Sequence, residues 1–526
     1  MLLTLTKSTT KRVLYSSWMA ICVLVLFAIL YCFSALSAPF WNDNDTWSNL
    51  LPIIHYRQSI LNEHSLPLYT DLWYGGRAQW ANPLWSFLYL PATLVWLATP
   101  LDWGTRFVFL GHFIFALLAA RKLASLALEN EMERVCVAII LCSPILPALT
   151  AGHVEKVMSW GWVLLSLYFL LNTKLTSAKR GLFSGLCLGI IPLTGANYYS
   201  LYAAVLLLPL ALSYKDGQMA LFFALGASLG LLHVPSIWRM IGHPRAHAKY
   251  FVALNSINFI DIPLSLSTGI SRKTSWETWA PVGLPTLYIV AKIITTKIRE
   301  FRVKHDFTIS NQNIAVILSM AVLILLATGV AYQGHSLLDT FRVPSRAMAF
   351  IACAMVIFAL MNHHVIWNDS MASQRSIRFL LILSAVQIII SGWQIRPLGS
   401  IHSPYDPAIQ KLADMLHADG AKRVWYSEID LSYMYIQVGL NRNRLSLPVV
   451  YYGDMGQAFE STGDYCGYSF DHLIVRLPVE GSTIDLPAGV EWSNSQGEIS
   501  TDRLFLIKQL QLGDDHFNVY RVTCDE

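Results

Sequence analysis

Residues Cys22–Trp47 read "CVLVLFAILYCFSALSAPFWNDNDTW". A long apolar run gives way within a few residues to two carboxylates, Asp43 and Asp45, one asparagine apart. What that run is decides the fold. Lys7, Lys11 and Arg12 precede it like the basic region of a secretory signal, and "ALSA" (35–38) has the small residues of a cleavage site. The apolar stretch from Val13 to Leu36 is nevertheless too long for a signal, whose core runs to ~7–15 residues, and Pro39 sits badly beside the cut. It is long enough to cross a bilayer, which takes ~20 residues. The run therefore reads as an uncleaved first membrane helix with a cytoplasmic N-terminus, and Asp43 and Asp45 emerge on the other side.

Composition agrees. Of 526 residues 54% are hydrophobic and 14% charged, with a mean hydropathy of +0.44, the balance of a polytopic membrane protein. The net charge of +4 is small and scattered, which argues against a nucleic-acid partner. Further apolar segments lie near 104–120, 135–151, 157–172, 182–197, 199–213, 219–235, 281–296, 312–331, 346–361 and 377–395, making about eleven spans with the first. The connections alternate in charge. Arg121, Lys122 and Arg134, then Lys174, Lys179 and Arg180, then Lys215, the group Lys292–Lys304, and Arg375 with Arg378 all share the side of Lys7, as the positive-inside rule requires. "NPLWSFLYLPATLVWLATP" (82–100) would break this register if it crossed; short, interrupted by Pro91 and rich in Trp and Tyr, it reads as a re-entrant or interfacial element.

Gly181, Gly185 and Gly189 stand four apart, and Gly226 and Gly230 repeat the spacing, a pattern for close contact between membrane helices. The expected fold class is thus mainly α, a polytopic helical membrane protein with a membrane domain over 1–397, a first external loop at 39–103, and a small α+β extracytoplasmic domain at 398–526. In that tail, Pro407–His417 has a helical pattern, "RVWYSEI" and "HLIVRLPV" are strand-like, and a hairpin is expected to turn at Gly513-Asp514-Asp515. Its two cysteines, Cys466 and Cys524, are expected to form a disulfide in an oxidising compartment.

With this topology the outward segments carry an unusual set. The first loop holds Asp43 and Asp45. The next outward turn, "TAGHVEKVMSW", holds His153, Glu155 and Lys156, and the last, "AYQGHSLLDTFRVPSRA", holds His335, Arg342 and Arg346. Basic residues at outward turns run against the charge bias and suit an anion held at the membrane surface. Each signal has a plainer reading: Asp43 or Asp45 can cap a helix starting near Thr46, Glu155 and Lys156 can be an interfacial ion pair, and the two arginines can reach for lipid headgroups. A calcium loop from Asp43 is excluded, because its sixth position is Ser48 and its twelfth Ile54. His243 and His247 are four apart but follow no zinc signature, and Pro244 disfavours a shared helix face.

Taken together, "NDNDTW", "EHSLPLYTDLWYGG", "GHVEK" and "FRVPSRA" resemble the type C glycosyltransferases (the GT-C superfamily), polyprenyl-phosphate-dependent membrane enzymes, over roughly residues 13–395. The resemblance aligns Asp43 and Asp45 with the acidic pair of the first external loop, Glu155 with the acidic position of the second, and Arg342 and Arg346 more loosely with residues that hold the lipid phosphate. It implies transfer of a hexosyl or pentosyl group from a polyprenyl-phosphate-linked sugar to a hydroxyl of a glycan, glycolipid or protein acceptor, with inversion, at the periplasmic or extracellular face of a bacterial cytoplasmic (inner) membrane.

In such a reaction Asp43 or Asp45 would take the acceptor proton. Lys156, Arg342 and Arg346, with His153 and His335 nearby in sequence, would bind and stabilise the leaving phosphate. Some relatives place a divalent cation between carboxylates, and Asp43, Asp45 and Glu155 offer the hard oxygen ligands that Mg²⁺ or Mn²⁺ takes. Two other readings compete: a polymerase or ligase using a lipid-linked oligosaccharide, and a non-enzymatic transporter or assembly subunit. Charges clustered at the outer ends of spans rather than at mid-membrane favour the enzyme.

Overall fold

A computed structural model describes residues 17–32, 44–70, 77–78, 86–150, 153–235, 256–268, 279–304, 310–332, 344–367, 371–394, 407–422, 424–426, 471–476, 504–512 and 515–522. The chain forms two compact units, Met1–Ala38 with Pro83–Pro397, and Pro39–Asn82 with Leu398–Glu526.

The first unit is helical, and the protein is a polytopic helical membrane protein. Every apolar segment expected to span coincides with a helix: α1 (Ser17–Cys32), α4 (Leu101–Ala124), α5 (Glu131–Cys142) with α6 (Leu146–Thr150), α7 (Val154–Leu171), α8 (Ser177–Leu193), α9 (Asn197–Leu212), α10 (Gly217–Ala227), α12 (Leu284–Lys304), α13 (Asn311–Ala327), α14 (Met348–Met361) and α16 (Met371–Gln394). Among the described residues, five helical stretches are long and apolar enough to cross on those grounds alone: Trp103–Ala124, Glu131–Leu149, Val154–Leu171, Pro344–Met361 and Gln374–Gly392. Proline stands at two interruptions of the helical ladder. Pro144 falls in the 3₁₀ turn Ser143–Ile145 that separates α5 from α6. Among the described residues of the interrupted segment 82–100, the one helix is α3 (Leu90–Ala98), with Pro91 in its first turn. Nine residues rise ~14 Å, half the ~30 Å of a hydrocarbon core. The basic group Lys292–Lys304 differs from expectation: it lies inside α12 rather than in a connection, because Lys, Arg and Glu are good helix formers and Lys297 pairs with Glu300 at 3.5 Å one turn on.

Polar contacts fix which helix ends meet. Arg121, near the C-terminus of α4, donates to Ser17 Oγ at the start of α1 (3.2 Å) and to Glu131 at the start of α5 (Nε 3.1 Å). Ser17 also donates to Glu131 (3.0 Å), Arg134 pairs with the same carboxylate, and Arg378 of α16 pairs with Glu133 (3.1 Å). At the other end Tyr31 donates to Gly392 O (3.3 Å). α1 therefore starts, and α4 finishes, at one end of the bundle, so the chain leaves and re-enters by the opposite end between them. That is the geometry a non-crossing 82–100 segment requires.

The glycine pattern is a seam between α8 and α10. A Cβ on Gly185 would lie 2.1 Å from Phe223 O, one on Gly181 2.2 Å from Met219 O, and one on Gly226 2.5 Å from Leu182 O. These are backbone atoms that cannot swing aside. Gly111 on α4 has nothing within 4 Å of the same position. Gly185→Ala should therefore lower the melting temperature of the detergent-solubilised protein by an amount corresponding to ~1–3 kcal/mol of overpacking, while Gly111→Ala leaves it unchanged or raised. Equal melting of the two variants would contradict the seam.

α12 starts inside the bundle. Gly283, at φ +84°, turns the chain into it. Its orphan first-turn amides are taken by α16 side chains: Leu284 N donates to Gln387 Oε1 (3.1 Å) and Thr286 N to Ser384 Oγ (3.1 Å). Gln387 in turn donates to Ser267 O (2.8 Å) in α11 (Asp261–Thr268), and Ser143 Oγ donates to Pro281 O (2.5 Å). Non-helical backbone at membrane depth needs such partners.

In the second unit, α2 (Asn44–Leu61) and the short pair β1 (Tyr69–Thr70) and β2 (Arg77–Ala78) belong to the first loop. The tail supplies α17 (Pro407–Ala418) and a four-stranded sheet in the order β3 (Val424–Tyr426), β4 (His472–Arg476), β6 (Asp515–Val522), β5 (Leu504–Leu512). β3 runs parallel to β4, and β5 and β6 form the expected hairpin, with Leu512 opposite Asp515. Cys466 and Cys524 lie outside the described residues.

His472 is buried where α17 meets the sheet, and both of its ring nitrogens face carboxylates: Nδ1 is 2.9 Å from Asp471 Oδ1 and Nε2 2.8 Å from Asp419 Oδ2. Arg521, opposite His472 in the β4–β6 register, pairs with Asp419. Burial alone pulls an imidazole pKa down, but hydrogen bonds to Asp471 and Asp419 outweigh it and raise the pKa above 6.5. Hydrogen bonds from Arg521 and His472 hold Asp419 down at about 2. A raised histidine stabilises the fold below its unfolded pKa, and the contribution is lost as pH rises through the folded value. Hydrogen exchange of α17 and β4 should accordingly quicken as pH is raised through that window, beyond the intrinsic base catalysis, and His472→Gln should abolish the excess. An identical pH profile for both proteins would refute the clamp.

Candidate active site at one end of the bundle

α7 begins beside the site. His153 occupies its N-cap position without capping it, and Glu155 sits in the first turn, where the helix dipole favours a carboxylate. His153, Glu155 and Lys156 are all buried, at 3%, 8% and 2% exposure, too deep for a pair of surface charges. His153 Nδ1 lies 2.9 Å from Glu155 Oε1. Lys156 and Arg346 are close enough to act electrostatically on the same carboxylate.

Three more elements converge here. α8 ends at Leu193, and Thr194 Oγ1 donates to Glu155 O (3.4 Å) and to Ile191 O (2.7 Å). Gly195, at φ +84°, makes the tight turn into α9 and delivers Asn197, Tyr198 and Tyr199 at its start. The 3₁₀ turn Pro344–Ala347 leads into α14 and carries Arg346, whose guanidinium lies 4.5 Å from the centroid of the Tyr198 ring. Below, Tyr202 OH is 3.3 Å from Tyr332 OH, and Trp160, Tyr199 and Phe350 form edge-on contacts with centroids 5.1–5.8 Å apart. The other end of α7 shows which end of the bundle this is. Lys122, in the last turn of α4 beside Arg121, lies over the ring of Tyr168, near the C-terminus of α7. The site is thus at the end opposite the Arg121–Glu131 contacts.

The structure brings together four residues of the expected site: His153, Glu155, Lys156 and Arg346. Asp43, His335 and Arg342 lie outside the described residues. Asp45 is the second residue of α2, and its side chain also lies outside them. The tyrosines were not expected; "GANYYS" (195–200) at the start of an apolar span is the signal that marks them. For a divalent cation, Glu155 is the one carboxylate described here, and it is already engaged by His153 in a basic surrounding. No group of three His, Cys, Asp or Glu side chains suited to a metal occurs among the described residues. The described side chains do not make a cation site.

No protein-family model matches the chain, and no curated protein sequence matches it. Solved structures do. The chain is similar to the arabinofuranosyltransferase AftD from mycobacteria, with a TM-score of 0.54 and 14% identity over 96% of this chain and 41% of that one. It is also similar to the Archaeoglobus fulgidus oligosaccharyltransferase in its apo form, with a TM-score of 0.50 and 11% identity over 88% of this chain and 69% of that one. The chain thus spans about two fifths of the mycobacterial enzyme's length. Both are type C glycosyltransferases, and the fold of this chain is theirs.

Glu155→Gln keeps shape but removes the carboxylate from a buried ionic cluster, a change that typically costs ~3–5 kcal/mol. Thr194→Val removes a neutral hydroxyl with its short contact to Ile191 O and its long one to Glu155 O, and should cost ~1 kcal/mol. Thermal melting in detergent should rank the two in that order; an unchanged melting temperature for Glu155→Gln would remove Glu155 from the cluster.

Proposed function

We propose that the protein is a membrane glycosyltransferase that moves a sugar from a polyprenyl-phosphate donor to an acceptor hydroxyl outside the cytoplasm, inverting the anomeric centre. The observation that carries this reading is the cluster of buried His153, Glu155 and Lys156 with the partly exposed Arg346 beside them, at one end of a type C fold. An anionic headgroup whose tail stays in lipid suits basic side chains at the end of membrane helices. As the phosphate leaves, negative charge grows on its oxygens, and Lys156 and Arg346 stabilise that charge in a site of low dielectric. His153 holds the Glu155 carboxylate and so keeps the site from becoming purely cationic. The acceptor's proton goes to a first-loop carboxylate, Asp43 or Asp45, as the nucleophile attacks the anomeric carbon opposite the phosphate. A hexosyl or pentosyl donor and a glycan, glycolipid or protein acceptor all fit this chemistry.

Mass spectrometry of lipid co-purified with the full chain should find a polyprenyl phosphate or its glycoside. In cells, Asp43→Asn should cut transfer by ~10²–10⁴, the usual loss on removing a general base, with expression maintained. Arg342→Ala and Arg346→Ala should chiefly raise KM for the donor. Cysteine labelling should place Thr70 and Gly420 outside and Glu129 and Ser177 in the cytoplasm. Wild-type transfer of sugar in cells by both Asp43→Asn and Glu155→Gln would overturn the site assignment and move a transporter or assembly subunit ahead.

A further inference from the structure

We propose that Tyr198 is a positioning residue for the donor phosphate, acting through Arg346; this rests on the phosphate reading above. Arg346 stands in a 3₁₀ turn at the head of α14, and its long side chain has several rotatable bonds to immobilise. The flat contact described is the ring of Tyr198, 4.5 Å from ring centroid to guanidinium carbon, well inside the ~6 Å reach of a cation–π interaction. Both side chains are partly exposed, so the guanidinium is braced on one face yet accessible to a ligand.

The brace is itself rigid. Tyr198 lies in the first turn of α9, which the Gly195 turn ties to the end of α8, and Thr194 of that turn is tied to the Glu155 carbonyl. One turn further along α9, Tyr202 is fully buried against Tyr332 and Phe350, and it too lies within the electrostatic reach of Arg346. A ring fixed in this way sets where the guanidinium stands relative to Glu155. A phosphate then meets an arginine already in place, and less entropy is lost on binding. Arginine suits this role and lysine does not, because only a planar guanidinium can lie on a ring while its edge presents N–H donors.

The test is a double-mutant cycle on the full chain in detergent, with farnesyl phosphate as the probe, farnesol as the uncharged control, and native mass spectrometry as the readout of affinity. The unmodified protein should prefer farnesyl phosphate to farnesol, and Arg346→Ala should abolish that preference. Tyr198→Leu should weaken farnesyl phosphate about 3- to 30-fold, the range a cation–π contact spans, without changing farnesol. Tyr198→Phe, which keeps the ring face, should restore most of the loss. In an Arg346→Ala background Tyr198→Leu should have no further effect. An equal loss in that background, or an equal loss with Tyr198→Phe, would overturn the proposal. So would unchanged affinity in Tyr198→Leu while Arg346→Ala binds poorly, with the phosphate reading left standing. Unchanged affinity in Arg346→Ala would instead overturn the phosphate reading itself. Should Tyr198→Leu fail to fold, Tyr198→Gln, which also lacks a ring, carries the same comparison.

Discussion

Glu131 accepts from Ser17 of α1, Arg121 of α4 and Arg134 of its own helix, and these contacts tie segments more than a hundred residues apart to one face of the bundle. In a bilayer the helices themselves are nearly indifferent to orientation, since one apolar cylinder packs against another either way up. A carboxylate that holds two other helix termini is not indifferent. Once α1 starts and α4 ends beside Glu131, the end of α1 and the start of α4 both fall at the opposite face. Every later helix inherits its direction from that choice, and with it the location of Glu155 and Arg346.

The site at that face is a problem in charge burial. Lys156 and Glu155 are adjacent in sequence on the first turn of a membrane helix, and both are almost entirely removed from solvent. Neither is tolerable alone in such a place. His153 beside the carboxylate, the helix start behind it, and Arg346 arriving from a distant segment share the field among several groups. An electrostatic centre assembled from the start of α7 and the 3₁₀ turn before α14 can exist only after the bundle has formed. This is a reason to regard it as a product of the fold rather than a local motif.

Much of the architecture was legible in the residues. Length and apolarity marked the helices, lysines and arginines marked one face, and glycines at intervals of four marked the α8–α10 seam that their backbone contacts confirm. The hairpin of β5 and β6 followed from the turn residues Gly513-Asp514-Asp515 between two apolar runs, with Asp515 itself already paired to Leu512 in the ladder. The site was legible only in part. Glu155 and Lys156 stood out because charge at the start of an apolar run is costly, and Arg346 because it broke the charge bias. Tyr198 did not, since a tyrosine at the end of a span is ordinary and its use depends on which distant side chain lands upon it. The inclusion of Lys292–Lys304 within α12 was missed for a related reason: a hydropathy pattern ends where charge begins, whereas a helix does not.

The capping of α12 by Ser384 and Gln387 bears on how the chain is made. The first turn of α12 presents the exposed Leu284 amide and the buried Thr286 amide, and their acceptors lie about a hundred residues later, on α16. A ribosome delivers α12 to the membrane well before α16 exists. During that interval the buried Thr286 amide lacks the acceptor it has in the folded bundle. α12 is thus made early and capped late: its first turn gains its final partners only when α16 has been made and packed beside it.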